Sequence, residues 1–143
     1  MLCDFYTRRH KGREITMGRL DLEYLAKNFE YKADDSRNSW RILKEDDLKG
    51  DCEDYALTAL YIETGSMVKF WKELIIGSAK IKYCKSPSGG GHAILQYKGM
   101  YIDNWQREYV DLAYLIEAGY EITGINYLWL TALIKVTKGK FSK

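Results

Sequence analysis

Apolar positions along this chain repeat with two different periods, and the pattern changes past Gly65. Upstream the spacing is helical. Leu22, Leu25, Ala26 and Phe29 predict a first helix over about residues 20–29. Residues 34–39 (Asp-Asp-Ser-Arg-Asn-Ser) read as a loop that delivers Trp40 and Arg41-Ile42-Leu43 to the next element. There Tyr55, Ala56, Leu57, Ala59, Leu60, Tyr61 and Ile62 surround a helix almost completely, which places it at the centre of its domain. Asp51 is its expected N-cap, Asp54 completes a capping-box pattern, and Gly65 is expected to close it after Thr64.

Downstream, Phe70, Trp71, Leu74, Ile75 and Ile76 lead into a period of two. Ala79, Ile81 and Tyr83 alternate with Lys80, Lys82 and Cys84, predicting a half-buried strand with its lysines and Cys84 on the wet face. Ser86-Pro87-Ser88-Gly89-Gly90-Gly91 reads as a mobile loop. Two strands follow, His92 to Tyr97 and Met100 to Trp105, joined by Lys98-Gly99 as a tight hairpin. Tyr109, Leu112, Ala113 and Ile116 predict a helix closed by Gly119. Tyr127 to Val136 reads as a last strand with Leu128, Leu130, Ala132, Ile134 and Val136 on its apolar face, before a frayed tail from Lys138 to Lys143. The class is α+β.

Composition narrows the picture without naming a chemistry. A length of 143 residues suits one domain spanning the chain, with a core that needs no staples. The net charge of +2 gives no reason to expect a nucleic-acid or membrane partner, and Arg8, Arg9, Lys11 and Arg13 around His10 read as a solvated basic arm over residues 1–15. Cys3, Cys52 and Cys84 form no Cys-x-x-Cys pair, which argues for a reducing compartment. With no apolar run of signal or membrane-spanning length, the cytoplasm is the expected location.

The chemistry centres on Cys52. A thiol on the first turn of a helix meets unpaired N–H groups and the positive end of the dipole, both of which favour the thiolate. The flanking acids Asp51, Glu53 and Asp54 oppose that effect. A nucleophilic thiol needs a base, and that base needs an orienting group. Of the two histidines, His92 opens a strand beside a glycine loop and is the candidate base. If Lys98-Gly99 is a two-residue turn, Gln96 pairs with Tyr101 and Ile94 with Asp103, so Asp103 shares a face with His92 as its diagonal neighbour. A three-residue turn would present Asn104 instead. The two-residue turn is the commoner hairpin, so Asp103 is preferred.

Three blocks together resemble a known family. Gly-Asp-Cys-Glu-Asp-Tyr-Ala at 50–56, Gly-His-Ala-Ile-Leu at 91–95 and Tyr-Ile-Asp-Asn at 101–104, with Trp40 upstream, are similar in order and spacing to the signature blocks of the bacterial and phage transglutaminase-like cysteine peptidases. The resemblance covers roughly residues 20–110. It implies a papain-like core in which the helix bearing Cys52 packs on an antiparallel sheet bearing His92 and Asp103, and hydrolysis of a peptide or amide bond in a protein or peptide substrate through a thioester. It makes Trp40 a secondary oxyanion candidate. No cofactor is required, although some members bind calcium through acids that would fall on Asp51 and Glu53. Transfer of the acyl group to an amine, as in a transglutaminase, and a catalytically inactive binding module of a phage or bacterium are the alternatives. Oligomeric state is left open, Cys84 is expected to be incidental, and a zinc site from Cys3, Cys52, Cys84 and His92 lacks ligand spacing.

Overall fold

Helix starts in this protein follow the caps written into its sequence. The computed structural model describes residues 20–33 and 40–141, with side chains through Thr137. The basic arm at 1–15, Cys3 and the loop at 34–39 lie outside them. Helix α1 (Leu22–Asn28) begins at Asp21, whose carboxylate accepts the Tyr24 N–H at 2.8 Å. Strand β1 (Glu30–Tyr31) pairs in parallel with β2 (Lys49–Gly50). Helix α2 (Cys52–Thr64) then starts at Asp51 with a reciprocal box. The Asp54 N–H donates to Asp51 Oδ1 at 3.1 Å, and the Asp51 N–H donates to Asp54 Oδ2 at 3.2 Å. A Cβ at Gly50 would lie 2.5 Å from that Asp54 oxygen, so the box leaves space only for glycine. At the far end Gly65 takes φ 79° and donates its N–H to Tyr61 O.

Helix α3 (Met67–Ile76) lies between Ser66 and Gly77 caps and buries Phe70 and Leu74, four positions apart. Strands β3 (Ala79–Lys85), β4 (Gly91–Tyr97), β5 (Met100–Ile102) and β6 (Glu121–Tyr127) form a sheet in the order β5-β4-β3-β6, antiparallel throughout. Helix α4 (Leu112–Ala118) precedes β6, and α5 (Trp129–Phe141) follows it. Among the described residues, five helices, a four-stranded antiparallel sheet and the β1–β2 pair make this an α+β protein.

The β4–β5 turn decides what faces what. Lys98 (φ 54°) and Gly99 (φ 78°) both sit in the left-handed region, the geometry of a two-residue hairpin turn. Tyr97 therefore opposes Met100, Gln96 opposes Tyr101 and Leu95 opposes Ile102. On one face Ala79, Ile81, Ala93, Leu95, Tyr97 and Ile102 join Tyr55, Leu57 and Leu60 of α2 in the main core. On the other, Cys84, Ile94 and Tyr101 pack with Val110, Leu115 and Tyr120 in a smaller one.

That second core corrects the expected wet face. Lys80 and Lys82 lie at its outer end, but Cys84 is wholly buried because α4 and the chain after it cover the end that carries His92. Other corrections follow from tertiary packing. Residues 129–136 are helix, not strand: Ala132 and Val136, four apart, are buried against the main core. Leu128, Leu130 and Ile134, expected to share an apolar strand face with them, are 69%, 49% and 55% exposed. The helix runs through Phe141, across the expected frayed tail. The strand at this end is β6, a mostly exposed edge whose sequence shows little apolar alternation. Helix α4 starts at Leu112 behind an Asp111 cap, and it buries Leu115 rather than Leu112 or Ile116. The glycine-rich connection is a compact turn, closed by Ser86 N–H to Gly90 O at 2.9 Å and Gly89 N–H to Ser86 O at 2.8 Å.

Candidate active site

Asp103 follows β5 directly, and its carboxylate ends that strand. Oδ1 accepts the N–H groups of Trp105 (3.2 Å) and Gln106 (2.7 Å), and the strand expected to run to Trp105 ends three residues earlier, at Ile102. Oδ2 lies 2.7 Å from His92 Nε2. The acid is entirely buried and the imidazole 6% exposed. An ionised carboxylate only accepts, so Nε2 carries the proton in this pair and Nδ1 is left as the ring's acceptor. A second donor reaches the same oxygen: Tyr120 Oη at 2.6 Å. Trp105 and Tyr120 also enclose the ring, with centroids 5.8 and 6.1 Å from it. Arg107 anchors the turn that carries the acid. Its backbone sits at φ 57°, its Nη1 donates to Ala26 O at 2.7 Å and its Nε to Asn104 O at 2.7 Å, and its guanidinium lies over Phe29.

Cys52 occupies the first turn of α2, half-buried, where the sheet edge opens. Strand β5 stops at Ile102 opposite Leu95, so no strand covers β4 at Ala93, and the Ala93 N–H donates to Cys52 Sγ at 3.4 Å. The sulfur thus rests against the peptide link that joins His92 to Ala93. The thiol donates in turn to Glu53 Oε1 at 3.4 Å. Among the described residues no hydrogen bond joins Sγ to the imidazole. Burial first, then the charges of Glu53 and Asp51, push the thiol far above its ordinary range, against the lowering effect of the Ala93 N–H. Glu53 is itself raised by burial and by Asp51. The resting group is a thiol, and the dipole of α2 does not overcome its surroundings.

The secondary candidates separate from one another. Among the described residues Asn104 makes no hydrogen bond to His92, and its buried Oδ1 has no partner. Trp40 is 1% exposed, edge-on to Tyr127 at 5.1 Å with the Lys135 ammonium 5.6 Å from its ring. Its neighbours tie it to the helix of Cys52: the Arg41 N–H donates to Asp54 Oδ1 at 2.8 Å and the Leu43 N–H to Thr58 Oγ1 at 2.8 Å. Calcium needs six or more oxygens. Asp51 Oδ1 is taken by the Asp54 N–H and both Asp54 oxygens by backbone N–H groups, leaving Glu53 and one Asp51 oxygen. Among the described residues no three His, Cys, Asp or Glu side chains converge as metal ligands.

Local patterning does not mark Tyr120 or the sulfur's backbone partner at Ala93. Tyr120 is 17 positions from Asp103, beyond a helix, and only the packing of α4 brings it back. No family model, curated protein sequence or solved structure matches this chain. No helix among the described residues is long and apolar enough to cross a membrane.

Proposed function

We propose that the protein is a thiol-dependent hydrolase of the transglutaminase-like cysteine peptidase kind, cleaving a peptide or amide bond with Cys52 as nucleophile, His92 as base and Asp103 as its orienting acid. One observation carries the reading: Asp103 holds Nε2 and leaves Nδ1 to act, while the sulfur rests on the peptide link that follows His92. A papain-like arrangement of α2 against the sheet is the finer description of the fold that goes with it.

In this scheme Sγ leaves Glu53 as substrate enters and turns to His92. The S–H proton passes to Nδ1 while the S–C bond forms at the substrate carbonyl, and the imidazolium is stabilised by Asp103. The Cys52 N–H, on the first turn of α2, donates to the developing oxyanion, with the Trp40 indole as a second candidate donor. Collapse breaks the C–N bond, and the amine departs with the proton from Nδ1. Water then attacks the thioester with the same ring as base, restoring the thiol and releasing the acid.

Alkylation by iodoacetamide at pH 7.5 tests this. His92→Ala is expected to slow the labelling of Cys52. A labelling rate that the substitution leaves unchanged would overturn the reading. Ammonia release with and without an added amine separates hydrolysis from acyl transfer. A second reading, an inactive binding module on the same fold, draws support from the thiol's bond to Glu53 and its suppressed ionisation.

A further inference from the structure

The most heavily bonded group in the site is Asp103, and one of its bonds has no part in the scheme above. Its carboxylate accepts four hydrogen bonds: two backbone N–H groups on Oδ1, and the imidazole and the Tyr120 hydroxyl together on Oδ2. The two backbone bonds already fix the turn, so the phenol is not needed to end β5. Tyr120 is 3% exposed, its hydroxyl sits 2.6 Å from the acid, and Gln106 Nε2 approaches the same hydroxyl at 3.5 Å. Burial and the Asp103 bond raise the phenol far above its ordinary range, which keeps it a donor at neutral pH. Cys84, the direct strand partner of His92, borders the same cluster as a neutral thiol.

A donor that shares an acceptor oxygen weakens the other bond to that oxygen, because each draws on the same negative charge. We infer that Tyr120 is a positioning residue of this site: its hydroxyl occupies the second lone pair of Asp103 Oδ2, holds that oxygen toward Nε2 and moderates the acid's grip on the imidazole. Without it, Oδ2 gives its full charge to His92. The Nε2–H···Oδ2 bond shortens, and the proton that must return from Nδ1 to a leaving amine is held more tightly. The inference rests on the proposed role of His92 for its kinetic consequence, but its spectroscopic consequence does not.

Two measurements on the full chain decide it. The chain has two histidines, so the His92 Nε2–H proton is assignable by NMR through His92→Ala. Tyr120→Phe keeps the ring that packs on His92 and Trp105. It is expected to move the Nε2–H resonance downfield and to change the rate of Cys52 alkylation by about threefold to tenfold. Should Tyr120→Phe fail to fold, 3,5-difluorotyrosine at position 120, a stronger donor of nearly the same shape, is expected to move the resonance upfield. A resonance that stays in place in both variants overturns the inference, whatever happens to thermal stability. A resonance that moves while alkylation of Cys52 shows no dependence on His92 supports the positioning role and sinks the hydrolase instead.

Discussion

The two halves of the candidate site are built on opposite principles. Around Asp103 every acceptor is used: four donors converge on one wholly buried carboxylate, and aromatic rings close over the imidazole it holds. Around Cys52 the hydrogen bonds among the described residues are two, both 3.4 Å, at the uncovered edge of a sheet. The first half is rigid because removing any part leaves a buried polar group without a partner. The second is loosely held, and its nearest charge opposes the ionisation that chemistry would use. Pre-organisation is concentrated on the base, while the nucleophile is kept neutral until something displaces Glu53.

Substitutions that strike each half should separate them. Asp103→Ala strands the Tyr120 hydroxyl, the His92 Nε2–H and two backbone donors at once, so a loss of about 3 kcal/mol or more is expected in urea unfolding. A loss below ~1 kcal/mol would mean that the acid half is not the rigid one. Alkaline pH loads both halves. Burial holds Cys84 and Tyr127 up to about 12, and Cys52, Tyr55, Tyr109 and Tyr120 higher still. Their folded values are raised, so the stability they contribute is complete below the ordinary cysteine and tyrosine range and is lost as pH climbs through it. The melting temperature is expected to fall progressively from about pH 9 upward. A flat profile from pH 9 to 11 would contradict those burials.

Smaller effects fall on the thiol half. Glu53→Gln keeps the acceptor but removes the charge, and Cys52 alkylation at pH 7.5 is expected to speed up by about threefold to tenfold. No change in rate would show that burial alone suppresses the thiolate. Cys52→Ala is expected to cost under about 1 kcal/mol in the same urea assay while abolishing that labelling. A cost matching Asp103→Ala would erase the contrast between the halves.

Much of this arrangement was legible where a local signal and its consequence sit close together. Asp51, Asp54 and Gly65 mark α2 to the residue, since a cap is chemistry between neighbours three or four positions apart. Lys98-Gly99 supplies the turn whose parity puts Asp103, not Asn104, beside His92. Where the apolar run at 128–136 fits either period, the pattern misleads. An alternating set and an i, i+4 pair share Ala132 and Val136, and only packing against the core selects the helix.

Backbone geometry within a few residues is enough for the central helix, the hairpin register and therefore the acid–imidazole pair. Tertiary structure alone decided that Tyr120 returns to Asp103, that Cys84 is covered, and that the sulfur finds Ala93 and Glu53 rather than the ring. Those outcomes depend on how far a strand runs before it bends and on which face a distant helix covers. Both are settled by the total burial of the domain, and no local pattern in the chain encodes them.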